Sequence, residues 1–255
     1  MLALAALPAA AQEMVTISSR PGVHQSFFIA GMGEVKPQAV ALLYIGAGGR
    51  INLRVEEGQV KFGQNNFLPR ARREFIRNAI LPVVLDAPSD HPSEMPDQFR
   101  MSDAHVADAR AVVAEMNRRY PELPVFVVGT SRGTLSAAYI AAALGPQLNG
   151  VVLTSSYFQT GGQRPRPMLS GFEWHKIRSR VLFVHHADDG CAQTSYREAQ
   201  RAARGYPLIT VHGGKPPESG PCEPFSPHGF LGKEAETVDA IAAWMLGKPF
   251  PKEVQ

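Results

Sequence analysis

A serine flanked by glycines, a pair of adjacent aspartates and a late histidine are the residues of this chain whose types and order could do covalent chemistry. The serine lies in Gly129-Thr130-Ser131-Arg132-Gly133, between the apolar run Pro124-Val125-Phe126-Val127-Val128 and the helix-forming residues 134–143. A strand that turns sharply into a helix lifts the residue at the turn out of the sheet. The two backbones then pass so close that the flanking positions need tiny side chains. Gly129 and Gly133 meet that need. The G-x-S-x-G pattern alone arises by chance in roughly one chain in ten of this length, so the strand before it and the helix after it carry the reading.

A serine hydroxyl is a poor nucleophile at neutral pH. It needs a base within hydrogen-bond reach, and the base needs a third group to fix its tautomer. Asp188 and Asp189 follow the apolar run 181–186, and His228 lies in the Pro-rich loop 213–229 behind the run 208–211. The chain order is serine, acid, histidine. The other histidines near strand ends are His185, His186 and His212, and only His228 lies on the late loop. A further candidate is Gly46-Ala47-Gly48-Gly49, directly after the apolar run 39–45. Neither phosphate-binding spacing, G-x-G-x-x-G or G-x-x-x-x-G-K-[ST], occurs there. The backbone N–H groups of such a loop can instead receive an oxyanion, as a serine hydrolase requires; a plain tight turn is the alternative.

The elements that must position these residues are read from hydrophobic patterning. Residues 14–19 and 25–30 read as two short strands separated by a Pro-Gly turn, an antiparallel edge. The continuous apolar runs 39–45, 81–86, 124–128, 151–154, 181–186 and 208–211 read as strands buried on both faces. Helical spacing is expected over 66–79, 103–120, 134–143, 195–204 and 233–246. Residues 87–101 form a loop rich in Pro, Asp and Ser, and Arg70, Arg72, Arg73 and Arg77 read as a solvated helix face. Strands alternating with helices predict an α/β protein with a mostly parallel sheet of about eight strands, helices on both faces and right-handed crossovers. Ligands in such sheets bind beyond the carboxyl ends of the strands, where Gly46, Ser131, Asp188 and His228 all fall.

Length and composition bound the rest. A chain of 255 residues is long enough for one large domain, expected over 13–250 with a C-terminal tail at 251–255. The hydrophobic fraction of 44%, the charged fraction of 19% and the net charge of +3 are ordinary and give no reason to expect nucleic acid as a partner. No apolar run approaches the length of an integral membrane segment. Residues 1–12 have an apolar stretch and an A-x-A arrangement at Ala9 and Ala11, as at the end of a secretory signal, though without a basic leading region. The expectation is therefore a periplasmic or secreted protein, the alternative being an Ala-rich tail on a cytoplasmic one. Cys191 and Cys222 are the only cysteines. An even count in an exported chain favours a disulfide. Each lies a few residues from a candidate site residue, so a bridge would tie the acid loop to the base loop.

The chain resembles the α/β-hydrolase family from its third strand to its final helix. The resemblance rests on Gly129-Thr130-Ser131-Arg132-Gly133, Val184-His185-His186-Ala187-Asp188-Asp189 and Ser226-Pro227-His228-Gly229-Phe230. It implies Ser131 as nucleophile, Asp188 as acid and His228 as base, with oxyanion donors from the backbone N–H of Arg132 and of Ala47 or Gly48. In similar hydrolases the first aspartate of such a pair usually serves, so Asp188 is preferred to Asp189. The Arg132 side chain is expected to pair with a carboxylate such as Asp86 or Glu115, the alternative being attraction of an acidic substrate. Asp86, Asp90, His91, Asp103 and His105 have the spacing of no compact zinc or calcium motif, and neither a metal nor another cofactor is implied. Only about twenty-five residues separate the strand behind the serine from the acid strand, too few for a large lid domain. The expected activity is ester hydrolysis on a small-molecule ester or peptide-like substrate. The alternatives are a serine peptidase of the same fold and a binding protein without catalysis, since fold does not dictate activity.

Overall fold

In a computed structural model of the protein, residues 12–255 are described. The expected export segment, apart from Gln12, lies outside the described residues. The chain opens with β1 (Glu13–Arg20), β2 (Val23–Ile29) and β3 (Ala39–Tyr44), then a small hairpin of β4 (Arg54–Glu56) and β5 (Gln59–Lys61). Next come α1 (Phe67–Arg70), α2 (Arg72–Arg77), β6 (Ile80–Leu85), α3 (Asp97–Arg100) and α4 (Asp103–Arg119). The second half comprises β7 (Val125–Thr130), α5 (Gly133–Leu144), β8 (Gly150–Thr154), β9 (Arg180–His186), α6 (Tyr196–Ala202), β10 (Leu208–Val211), α7 (Glu234–Met245) and β11 (Glu253–Val254).

Nine strands form one sheet in the order β1-β2-β6-β3-β7-β8-β9-β10-β11. The two β2 pairings are antiparallel, and every pairing from β6 to β11 is parallel. The ninth strand comes from the segment expected as a tail: Glu253 and Val254 pair with Thr210 and Val211. β3, β6, β7 and β8 are buried at every position. Because side chains alternate across a strand, these uniform apolar runs feed two cores. Val40, Leu42 and Val127 join Val112 of α4 and Leu135 of α5 on one face. Ala41, Leu43 and Phe126 join Phe75 of α2 and Ile241 of α7 on the other. Each fully buried leucine contributes about 1.5–3 kcal/mol, so both faces of the strand that feeds the glycine loop are fixed.

The expected helix 66–79 is broken at Ala71 into α1 and α2. Its arginines are not all solvated: Arg70 turns inward, pairs with Glu234 at 3.0 Å and donates to the carbonyl of Gly229 at 2.7 Å. It thereby braces the turn that follows His228. Arg77 keeps the expected exposed position. Loop 87–101 contains the short α3, which sequence patterning did not foretell. Between β8 and β9 there is no lid domain, only a bridge of Gln159 with Pro167 and two single turns at Leu169–Gly171 and Trp174–Lys176.

Candidate active site

Ser131 follows β7 with φ +52, a left-handed conformation that costs a residue with a side chain roughly 1–2 kcal/mol. The turn is held on both sides. The Ser131 N–H donates to Thr154 O at 3.0 Å, and Ser131 O accepts from the Thr134 N–H at 2.9 Å and from the Thr134 hydroxyl at 2.6 Å. The flanking glycines are there for space: a Cβ on Gly129 would meet the Gly133 carbonyl oxygen at 2.5 Å, and one on Gly133 would overlap the Tyr44 carbonyl oxygen. Gly46 faces the serine, for a Cβ there would lie 2.8 Å from Ser131 Cβ and 3.4 Å from Ser131 Oγ. The Ser131 turn and the glycine loop are therefore in contact.

Two strands away, His228 meets an aspartate, and the aspartate is Asp189. His228 Nδ1 lies 3.0 Å from Asp189 Oδ2. Since an ionised carboxylate only accepts, Nδ1 carries the proton and Nε2 is left as the acceptor. Asp188, the residue expected in this role, is exposed, and its amide donates to His186 Nδ1. The reason is the turn at Asp189-Gly190. The Asp189 carboxylate folds back to accept the Cys191 N–H at 3.0 Å and the Thr194 hydroxyl at 2.9 Å, while Asp188 is left on the outside. The Asp189 side chain is fully buried, with His185 Nε2 also 3.4 Å from it. Burial alone would raise its pKa, but the hydrogen bonds from His185 and His228 outweigh that and hold the carboxyl below the usual range.

The rival histidines are engaged elsewhere. His185 Nε2 donates to Thr194 O at 2.6 Å, and His186 Nε2 to Gly213 O at 2.9 Å. Among the described residues His212 makes only a backbone pairing, its N–H donating to Val254 O. The His228 turn is joined to the sheet edge by Ser155, whose hydroxyl donates to His228 O at 2.8 Å. Among the described residues no hydrogen bond links Ser131 Oγ to His228; contacts of this kind are often long until a substrate is bound.

A disulfide joins Cys191 to Cys222 across 31 residues. One half follows Asp189 by two residues and the other lies in the loop that ends at His228, so the bridge closes the Asp189 loop onto the His228 loop, as their positions predicted. The Arg132 side chain pairs with a carboxylate, but with Asp97 at 2.8 Å rather than with Asp86 or Glu115. Asp86 instead accepts the amides of Ile51 and Leu53, and Glu115 pairs with Arg118 and Arg119. Asp90 and His91 hydrogen-bond each other, and His105 is buried in the core, apart from the rim.

The amides of Arg132, Ala47 and Gly48 have no acceptor among the described residues. Gly48 O accepts from the Met95 N–H at 2.8 Å and Gly46 O from the Gly49 N–H at 3.0 Å, so the loop's carbonyls are occupied while those N–H groups are left over. Thr194, Ser155 and Asp97 are residues of the site that the sequence did not single out. For Asp189 a signal existed: an aspartate before a glycine opens a turn in which its side chain takes the amide two residues on.

Residues 97–216 match the model of a family described as serine aminopeptidase, S33. Among solved structures, Est1E from Butyrivibrio proteoclasticus is 12% identical with a TM-score of 0.59, over 92% of this chain and 98% of that one. A serine hydrolase without lid from Xanthomonas campestris is 15% identical with a TM-score of 0.56, over 93% of this chain and 97% of that one. An alpha-beta serine hydrolase homologue from Coxiella burnetii is 11% identical with a TM-score of 0.58, over 92% of this chain and 96% of that one. No protein of curated function matches the sequence. At these identities the structural likeness is one of fold. The fold is that of the α/β-hydrolases, and the family match covers residues 97–216, which include Ser131 and Asp189.

Proposed function

We propose that the protein is a serine hydrolase that cleaves carboxylic esters, with Ser131 as nucleophile, His228 as base and Asp189 as the acid that orients it. The observation that carries this reading is the contact of His228 Nδ1 with the buried Asp189 carboxylate at 3.0 Å, on the same strand-end rim as the strained turn at Ser131. With Nδ1 protonated, Nε2 takes the hydroxyl proton as Ser131 Oγ bonds to the ester carbonyl carbon. The carbonyl oxygen becomes an oxyanion received by the amides of Arg132 and of Ala47 or Gly48. His228 returns the proton to the leaving alcohol as the C–O bond breaks. Water then repeats the sequence on the acyl-enzyme and releases the acid. The disulfide supports a site of action outside the reducing cytosol, periplasmic or secreted.

A peptidase reading is favoured by one finding, the description of the matching family as serine aminopeptidases. Esters are preferred because Est1E, of similar fold, has been solved with ferulic acid bound, and because no lid domain encloses the rim. A panel of chromogenic esters of varied acyl length, run beside aminoacyl anilides, separates the two. A fluorophosphonate probe should label the wild type at Ser131, and Ser131→Ala should lose label and at least 10³-fold in kcat while keeping its circular dichroism. Full esterase activity in Ser131→Ala would exclude the nucleophile assignment, and absence of labelling in the wild type would favour a binding protein.

A further inference from the structure

Arg100 has no part in the chemistry above, yet its guanidinium is fully buried directly behind the glycine loop. Nη2 donates to Ala47 O at 3.0 Å, Nη1 to Ile45 O and to the Ser136 hydroxyl, both at 3.3 Å, and Nε to Met95 O at 3.2 Å. Among the described residues no carboxylate is hydrogen-bonded to it. A cation taken out of water is normally paired with an anion, because its desolvation is otherwise uncompensated. Here all four acceptors are neutral, and two of them belong to the loop. The fit is close: a Cβ on Gly49 would lie 2.5 Å from Arg100 Nη2.

The consequence for the loop is geometric. In a trans peptide the C=O and the N–H point in opposite directions. The carbonyls of Ile45 and Ala47 are drawn inward to Arg100, that of Gly46 is taken by the Gly49 N–H and that of Gly48 by the Met95 N–H. Four consecutive carbonyls are thus engaged internally, and none is left to oppose a negative charge forming beside Ser131. The other end of α3 reaches the second set of donors, since Asp97 accepts from Arg132 Nε at 2.8 Å.

We infer that Arg100 is a positioning residue for the oxyanion site and that α3 is a bracket that sets its two halves against each other, Arg100 fixing the loop 45–48 and Asp97 fixing Arg132. The inference rests on the reading of Ser131 as nucleophile. A full positive charge behind the loop also favours an anion in front of it. Burial, together with the neighbouring charge of Arg132, lowers the Arg100 pKa to about 9, which leaves it charged at neutral pH.

The test compares Arg100→Met, Arg100→Lys and Asp97→Asn with the wild type on one ester, and measures the affinity of a trifluoromethyl ketone that adds to the serine as an anionic tetrahedral adduct. Loss of an oxyanion donor lowers kcat by about 10²–10³. Arg100→Met is therefore expected to lose about 10²-fold in kcat and in ketone affinity with KM within about threefold. Arg100→Lys, which keeps the charge but not the fork, should fall in between, and Asp97→Asn should lose several-fold. A folded Arg100→Met within about threefold of wild type in kcat and ketone affinity would overturn the inference, as would a rise in KM alone. Should Arg100→Met fail to fold, unchanged kcat and ketone affinity in both other variants would overturn it equally. Ser131→Ala is run in parallel: activity there removes the nucleophile reading, whereas an inactive Ser131→Ala beside a fully active Arg100→Met removes only the bracket.

Discussion

At the His228 corner of the rim, one buried carboxylate gathers the donors: Asp189 accepts from Cys191, Thr194 and His228, and a disulfide closes the two loops over it. At the Ser131 corner the order is reversed. There a buried cation, Arg100, gathers acceptors, all of them neutral, and no covalent bond crosses the loop. Under the proposed mechanism the difference follows from when charge is present. A group that orients a histidine must be anionic throughout, so it is surrounded by donors that keep it ionised. A site where negative charge arises only during reaction works better with no resident anion in contact and with its dipoles already turned.

The largest effect that could break this contrast lies in the aspartate pair. Asp189→Asn should lower kcat by about 10³–10⁴, because the amide favours the wrong imidazole tautomer, whereas exposed Asp188→Asn should remain within about threefold. Steady-state ester hydrolysis decides it, and equal losses in both variants would mean that the charge is not concentrated at Asp189. Next in size is the bridge. Replacing Cys191 and Cys222 together by serine should reduce stability by about 2–4 kcal/mol in urea unfolding. It should also lower kcat several-fold, since the Cys191 N–H is one of the donors on Asp189. A stability loss with kcat unchanged would make the bridge a staple of the fold alone.

The smallest expected effect is one of pH. His105 is fully buried, with both ring nitrogens unpartnered among the described residues, and burial, aided by the charge of Arg100, lowers its pKa to about 3. The folded form is neutral, while the unfolded chain takes up a proton near pH 6.5, so below that pH the unfolded state binds more protons. Stability present at neutral pH is lost as pH falls from about 6.5 toward 3, with about 2 kcal/mol gone by pH 5. Asp189 has the opposite placement on the pH scale: its depressed carboxyl loses stabilisation only below its unfolded value near 4. Denaturation at pH 7 and pH 5 should therefore show a slope that His105→Phe flattens and Asp189→Asn leaves in place. An unaltered slope in His105→Phe would assign the acid sensitivity elsewhere.

Much of this arrangement was legible in the sequence, and for identifiable reasons. Strands buried on both faces have to be unbroken apolar runs, which made β3, β6, β7, β8, β9 and β10 readable, and the close crossing at the Ser131 turn admits little besides glycine beside it. Position along the chain brought Cys191, Cys222 and His228 to one corner. Adjacent aspartates at a strand end were a different matter, since strand periodicity places both at the rim and only the turn chemistry of Asp189-Gly190 separates them. Arg100 and Asp97 carried no pattern at all: α3 is four residues long, in a loop whose composition reads as solvent-exposed, and their partners other than Met95 are more than thirty positions away. β11 escaped for a similar reason, two residues being too few to show an alternation.

The left-handed backbone at Ser131 has a bearing on protein engineering. A procedure that ranked substitutions by thermostability alone would select glycine there, because glycine adopts that conformation without penalty. The optimised molecule would tolerate more heat and, under the proposed mechanism, have nothing left with which to attack a substrate.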